Sequence, residues 1–242
     1  MAIKSRTPQL DEHESAVCLG IPVFWQDQVQ CIVQLIASRE DGDSGVFEIW
    51  KPSGTYQDLQ LAAGYFGHLE RFENVSSFVR FEQNAGLPGQ AASSGSAVVH
   101  DDLKNHPGFL RAAGASAGEL QTAIALPLFR PEFHASVLLI SSQVTPIAKY
   151  IEVWKPSDAK SFTLEQTGSP MATIPSGACD LGTSLSAESG VISQVLSSQS
   201  AVLCETSDDL NAGRDSGTPS DRCLAIPTYS GEQLNNLALV WL

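Results

Sequence analysis

A chain of 242 residues, 43% hydrophobic and 17% charged, has the composition of a folded protein and a length that suits two modest modules. Its net charge of −13, with no dense cluster of Lys and Arg, argues against nucleic acid as a partner, and no apolar run approaches the ~20 residues of a membrane-spanning helix. Lys4 and Arg6 are followed by Asp11, Glu12 and Glu14 where a secretory signal needs an apolar run, so the expectation is a soluble, cytoplasmic protein. Five cysteines without a Cys-x-x-Cys pair, and histidines without ligand spacing, imply reduced thiols and no structural zinc.

In chain order, Cys18–Phe24 and Cys31–Ile36 are two short apolar runs around a polar turn, which predicts a β-hairpin. Phe47–Lys51 alternates apolar and polar residues and stops at Lys-Pro-Ser, a strand entering a second hairpin with the Leu-rich segment after it. Gly86-Leu87-Pro88-Gly89 lacks the Gly-Lys-Ser/Thr ending of a phosphate loop and reads as a turn that uses glycine's freedom at positive φ. Leu103–Leu120, rich in Ala and Leu with Pro107 near its start, predicts a helix of about three turns.

The chain then begins again. Phe47-Glu48-Ile49-Trp50-Lys51-Pro52-Ser53 returns 104 positions later as Ile151-Glu152-Val153-Trp154-Lys155-Pro156-Ser157, and the same offset carries the glycine block at Gly86 onto Gly190 and its Val98 strand onto Val202. A third block occurs three times, as Cys18-Leu19-Gly20-Ile21-Pro22-Val23-Phe24, Ala123-Ile124-Ala125-Leu126-Pro127-Leu128-Phe129 and Cys223-Leu224-Ala225-Ile226-Pro227-Thr228-Tyr229. Each precedes a further apolar strand, so three hairpins share the chain with two copies of everything else. Where the first copy has its helix, the second has Asn211–Asp221, with Gly, Pro, Ser and Asp, and a loop is expected.

The run from Phe81 through Ile140 resembles the GAF domain, a small sensor module with a central antiparallel sheet and helices on its faces. The matching residues are Gly86-Leu87-Pro88-Gly89, then Ser94-Gly95-Ser96-Ala97-Val98-Val99-His100-Asp101-Asp102, His106-Pro107-Gly108-Phe109-Leu110-Arg111-Ala112 and the Ile124–Leu128 strand. The second copy keeps Gly190 and Ser200–Leu203 but lacks the His-Pro-Gly-Phe segment. The expected fold class is α+β, with antiparallel sheets and few helices. Residues 1–45 are read as an N-terminal hairpin extension, 46–146 as a first GAF-like module and 147–242 as a divergent second one; the alternative is that each module starts at a hairpin and the last hairpin is left over.

The resemblance places a ligand site among Phe81, His100, Asp102, His106, Phe109 and Arg111, and implies a non-enzymatic sensor that binds a small molecule or a partner protein. Neither catalytic residues nor a metal site is expected, and the identity of any cofactor is left open. A homodimer or a separate signalling partner would transmit the response, since only Ser141–Lys149 joins the copies and leaves no room for a long linking helix. A ligand-free dimerisation or interaction scaffold is the alternative. A remote one is free methionine sulfoxide reduction, known in one branch of the family, although the cysteines here do not match that branch's clustered arrangement. Trp50 and Trp154 read as packing residues at strand ends, and Asp101-Asp102 as solvated acids.

Overall fold

The computed structural model describes residues 6–39, 45–54, 58–144, 146–171, 178–205 and 222–242. Among them the chain forms three antiparallel sheets, and each sheet draws its strands from one stretch of sequence. The first contains β1 (Gln9–Glu12), β2 (Ala16–Trp25) and β3 (Gln28–Ser38), in that order. The second contains β4 (Val46–Pro52), β5 (Leu59–Tyr65), β6 (Val98–His100), β7 (Leu120–Phe129) and β8 (Phe133–Ser142), in the spatial order β5-β4-β8-β7-β6. The third contains β9 (Tyr150–Pro156), β10 (Ser161–Gly168), β11 (Ser184–Ser186), β12 (Val202–Cys204), β13 (Cys223–Ser230) and β14 (Gln233–Trp241), ordered β11-β10-β9-β14-β13-β12. The second and third sheets are thus one plan, with β11 added in the latter.

The threefold sequence block has a physical counterpart. In β2, β7 and β13 the prolines Pro22, Pro127 and Pro227 pair with Ile32, Ser136 and Leu237 of the neighbouring hairpin strand, and a register shift follows each proline by one residue. On the other side β1, β6 and β12 pair only as far as Gly20, Ala125 and Ala225, two residues short of the proline. A residue without an N–H cannot continue a ladder on that side, so the proline sets where each outer strand stops. The three blocks converge, and Ile21–Phe24, Leu126–Phe129 and Ile226–Tyr229 together line a narrow cavity of about 10 Å³. That space holds about one water.

One apolar core joins all three sheets: Val17, Leu19, Ile21 and Val23 of β2 meet Phe47 and Ile49, Ile124 and Leu126, Val137 and Leu139, and Ile151, Val153, Ile226 and Val240. On the far face of the second sheet a separate core lies beneath α1 (Glu70–Phe78), α2 (Gly86–Ser94) and α3 (Ala112–Ala117). The third sheet repeats this with α4 (Gly190–Ser198). Both faces of β4 and β9 are therefore buried, and Glu48 and Glu152 face the helices alongside Trp50 and Trp154 rather than solvent. The alternation read from Phe47–Lys51 marks two interiors, not an inside and an outside.

The α+β fold class with antiparallel sheets is as expected, but where the resemblance implies helices on the faces of a sheet, here the helices cover one face of the second and third sheets and the other face packs in the core that the sheets share. Two local expectations are corrected. The glycine block is a helix in each copy: Gly86 and Gly190 open α2 and α4 at φ of 60° and 61°. Their positive φ was legible, but Pro88 in a first turn needs no amide partner and does not stop a helix. Conversely Leu103–Leu120 is mostly turns, with only Ala112–Ala117 helical, because Pro107, Gly108, Gly114 and Gly118 interrupt it. The loop expected at Asn211–Asp221 lies outside the described residues. None of the described helices is long and apolar enough to cross a membrane.

Candidate functional site

The six residues singled out in the sequence fall into two adjoining groups. Phe81, Phe109 and Arg111 are buried between the helices and the sheet, with exposures of 2%, 4% and 3%. The Arg111 guanidinium meets Glu48 of β4 fork to fork, with Nη2 donating to Oε2 at 2.8 Å and Nη1 to Oε1, and Nη1 also donates to Ser76 Oγ of α1 at 2.5 Å. The Trp50 indole N–H donates to the same carboxylate at 2.9 Å. Four rings enclose the guanidinium: Phe72 at 4.6 Å from its carbon, Phe109 at 5.3 Å, Trp50 at 5.4 Å and Phe81 at 5.7 Å. A planar, weakly hydrated cation suits such a cage far better than an ammonium would. Every partner of Arg111 named here belongs to the chain itself.

The second group surrounds His100, at the end of β6. Its ring is buried and stacks on His106, with centroids 3.8 Å apart and planes inclined by 22°. His100 Nε2 shares a hydrogen bond with Gln90 Oε1 of α2 at 2.9 Å, and the edge of Phe109 approaches at 6.2 Å, which links the two groups. Burial first, and the adjacent His106 second, push the His100 pKa down from 6.5 to about 4, so the ring is neutral at pH 7. His106 reaches the surface and accepts the Gly108 N–H at Nδ1, 3.1 Å away.

The turn that carries these groups is built locally. Asp102 adopts φ of 48°, a left-handed conformation that Asp tolerates, and its carbonyl receives the N–H groups of Asn105 and His106 at 2.9 Å each. Asp102 Oδ2 accepts the Asn105 side-chain amide at 2.8 Å. Gly108 closes over the cluster: a Cβ there would lie 3.0 Å from Gln90 Nε2 and 3.2 and 3.3 Å from the Cε1 atoms of His100 and His106. Two polar atoms, His100 Nδ1 and Asp102 Oδ1, are shielded from solvent yet make no hydrogen bond with the described residues. Such groups cost about 1–3 kcal/mol each unless something meets them.

The flanks of β6 reach the third sheet. Val99 N–H donates to Gln166 Oε1 at 2.8 Å, and Asp101 Oδ1 accepts the Ser169 N–H at 3.2 Å. Asp101 is thus a connector between the sheets and not merely a solvated acid. Sequence reading missed Gln90, Ser76 and Glu48 as members of these groups. For Glu48 a signal existed, since the repeat preserves a carboxylate two residues before each tryptophan, and Trp154 donates to Glu152 at the same 2.9 Å. Trp50 and Trp154 are packing residues, each fully buried. Among the described residues no group of three or more His, Cys, Asp or Glu is placed to hold a metal ion.

No protein-family model matches the chain, and no curated protein matches it either. Solved structures similar to part of it include the following two. The A. aeolicus nlh2 GAF domain in an inactive state is 20% identical, with a TM-score of 0.32, over 40% of this chain and 57% of its own. Each likeness is partial. A Staphylococcus aureus NreA protein, mutated in its nitrate binding site, is 14% identical with a TM-score of 0.35, over 45% of this chain and 82% of its own. This chain therefore spans little more than half the length of the first of them.

Proposed function

We propose that this chain is a non-enzymatic regulatory sensor of two GAF-like modules, residues 46–146 and 147–242, preceded by a hairpin in residues 1–45, and that the first module binds a small polar ligand. The observation that carries this reading is that two atoms of one short segment, His100 Nδ1 and Asp102 Oδ1, are buried with no hydrogen bond among the described residues, while His106, stacked on His100, reaches the surface. A ligand that offers complementary hydrogen-bonding groups would offset their desolvation, while the neutral His100 ring and Gly108 limit its size and charge. Phe109 backs the histidines, and Arg111, which also lies over Phe81, supports it from within. The ligand would act on the rest of the molecule through Val99 and Asp101, which bracket His100 and bond across to the third sheet.

The test is differential scanning fluorimetry of the full chain against amino acids, cyclic nucleotides, nitrate, haem, bilins and common metabolites. A ligand of the native state raises Tm by mass action, and His106→Ala should remove that shift without lowering the ligand-free Tm by more than a few degrees. If nothing in the panel shifts Tm, the second reading gains: an interaction scaffold that has kept the module's architecture without its ligand. The sealing of Phe81, Phe109 and Arg111 around an internal ion pair favours that reading, because these residues present no cavity to a ligand.

A further inference from the structure

We infer that the exposed edge of β3 pairs with the β3 of a second copy of this chain, in antiparallel register about a twofold axis at Val33. In the second sheet the hairpin strand β8 is covered along its outer edge by β4, from Val46 opposite Ile140 to Trp50 opposite Ser136. In the third sheet β9 covers β14 in the same way, from Trp154 opposite Leu237 to Tyr150 opposite Trp241. The strand at the same place in the first hairpin is β3, which among the described residues is at the end of its sheet and pairs only with β2. The chain has two Trp-Lys-Pro-Ser strands for three hairpins, so this edge has no internal candidate of that kind.

β3 has one of the usual protections of an edge, a register shift that leaves Gln30 without a partner on β2, and lacks the others. Over eleven residues, Gln28–Ser38, it has no charge, no proline and no glycine, and it alternates exposed Gln28, Gln30, Gln34 and Ile36 with Val29, Cys31, Val33, Leu35 and Ala37, which face the core. From Cys31 to Ser38 the pairing with β2 runs without a shift, so that part of the edge is regular and carries neither lysine nor proline. Ile36 is 69% exposed. In a chain with a net charge of −13, an uncharged strand is where a like-charged copy can approach most closely.

Charge at the strand ends selects the partner and the register. Asp27, in the hairpin turn, precedes the strand, and Arg39, half-exposed and 3.4 Å from Glu12 of its own chain, follows it, so an antiparallel pair centred on Val33 brings Asp27 of each copy toward Arg39 of the other. The same register opposes Cys31 to Leu35 on the core side and Ile32 to Gln34 on the other, keeping like faces together, and it joins two three-stranded sheets into one of six strands. An isologous contact of this kind closes on itself and stops at two copies. The pairing holds whether or not the first module binds a ligand.

Sedimentation velocity of the full chain at increasing concentration tests this. The expected species is twice the 25.8 kDa chain mass. Gln34→Lys sets like charges on diagonal neighbours across the axis, and should weaken association about tenfold or more with thermal unfolding unchanged. Asp27→Lys and Arg39→Glu should each weaken it, and the double variant should restore it. A wild-type chain that stays monomeric at high micromolar concentration overturns the proposal. So does a dimer indifferent to Gln34→Lys, or a charge-exchanged double variant no better than its parents.

Discussion

Arg111 and Glu48, 63 residues apart in the chain, form a two-bonded ion pair that is almost entirely withdrawn from water, with side-chain exposures of 1% and 0%. Glu48 sits on the central strands and Arg111 at the start of α3, so the pair ties the irregular 103–111 segment to the sheet. Removing one partner leaves the other charge buried. Arg111→Ala should therefore cost about 3–5 kcal/mol in urea denaturation, whereas Glu48→Leu with Arg111→Met together should cost less than either single change. A double variant as damaged as the sum of the singles would show that the residues do not act as a pair.

Gly108 sets how closely the chain approaches the histidine stack. The Cβ of Gly108→Ala would press on Gln90, His100 and His106, all side-chain atoms, at 3.0–3.3 Å. Overpacking of this kind costs about 1–3 kcal/mol. Any ligand shift in the fluorimetry panel should disappear with this substitution, since the new methyl displaces the rings between which the ligand is read. A ligand that binds Gly108→Ala unchanged does not sit at His100.

Burial keeps His100 neutral, and that has a sign. Its folded pKa of about 4 lies below the unfolded value of 6.5, so the unfolded chain binds more protons between those values. This stability contribution is complete above pH 6.5 and is lost as pH falls toward 4. His134, shielded by burial and held down further by Lys51 and Arg130, acts in the same direction. Tm measured from pH 7 to pH 4 should fall, and His100→Gln should flatten part of that fall, whatever it costs at neutral pH. An unchanged slope in His100→Gln would contradict the neutral, buried imidazole.

The two copies also diagnose each other's backbone. Helix α2 ends at Gly95 with φ of 65°, and α4 ends at the corresponding Gln199 with φ of 54°. A left-handed C-terminal residue suits glycine and strains glutamine. Gln199→Gly should stabilise the protein by about 0.5–1 kcal/mol, and Gly95→Ala should destabilise it by about 1 kcal/mol or more, both read from denaturant midpoints. Destabilisation by Gln199→Gly would mean that the side chain holds the cap.

Strands were legible wherever apolar runs were bounded by turn residues, as at Cys18–Phe24 and Ala123–Phe129, and the repeat made each one visible more than once. What escaped was short or marginal by itself. β1, with Gln-Leu-Asp-Glu, has no strand signature, and it forms because β2 offers an edge up to Gly20. Helix α1, with Phe72 its only buried apolar side chain, is held by that ring's place over Arg111. At the candidate site His100, His106 and Phe109 were close enough in sequence to be grouped in advance, while Gln90 and Glu48 arrive from a helix and a strand that no local pattern ties to them.

The convergence of Pro22, Pro127 and Pro227 gives the first forty-odd residues a different standing from an appendage. A chain starting at Val46 would keep both helix-covered sheets but lose Val17, Leu19, Ile21 and Val23 from the core they share, like an arch missing its keystone. That gap is shaped to take a hairpin of this one pattern, and the two that remain, β7–β8 and β13–β14, are each held within their own sheet. Truncation here would open to water the apolar faces of two sheets that the first hairpin now covers.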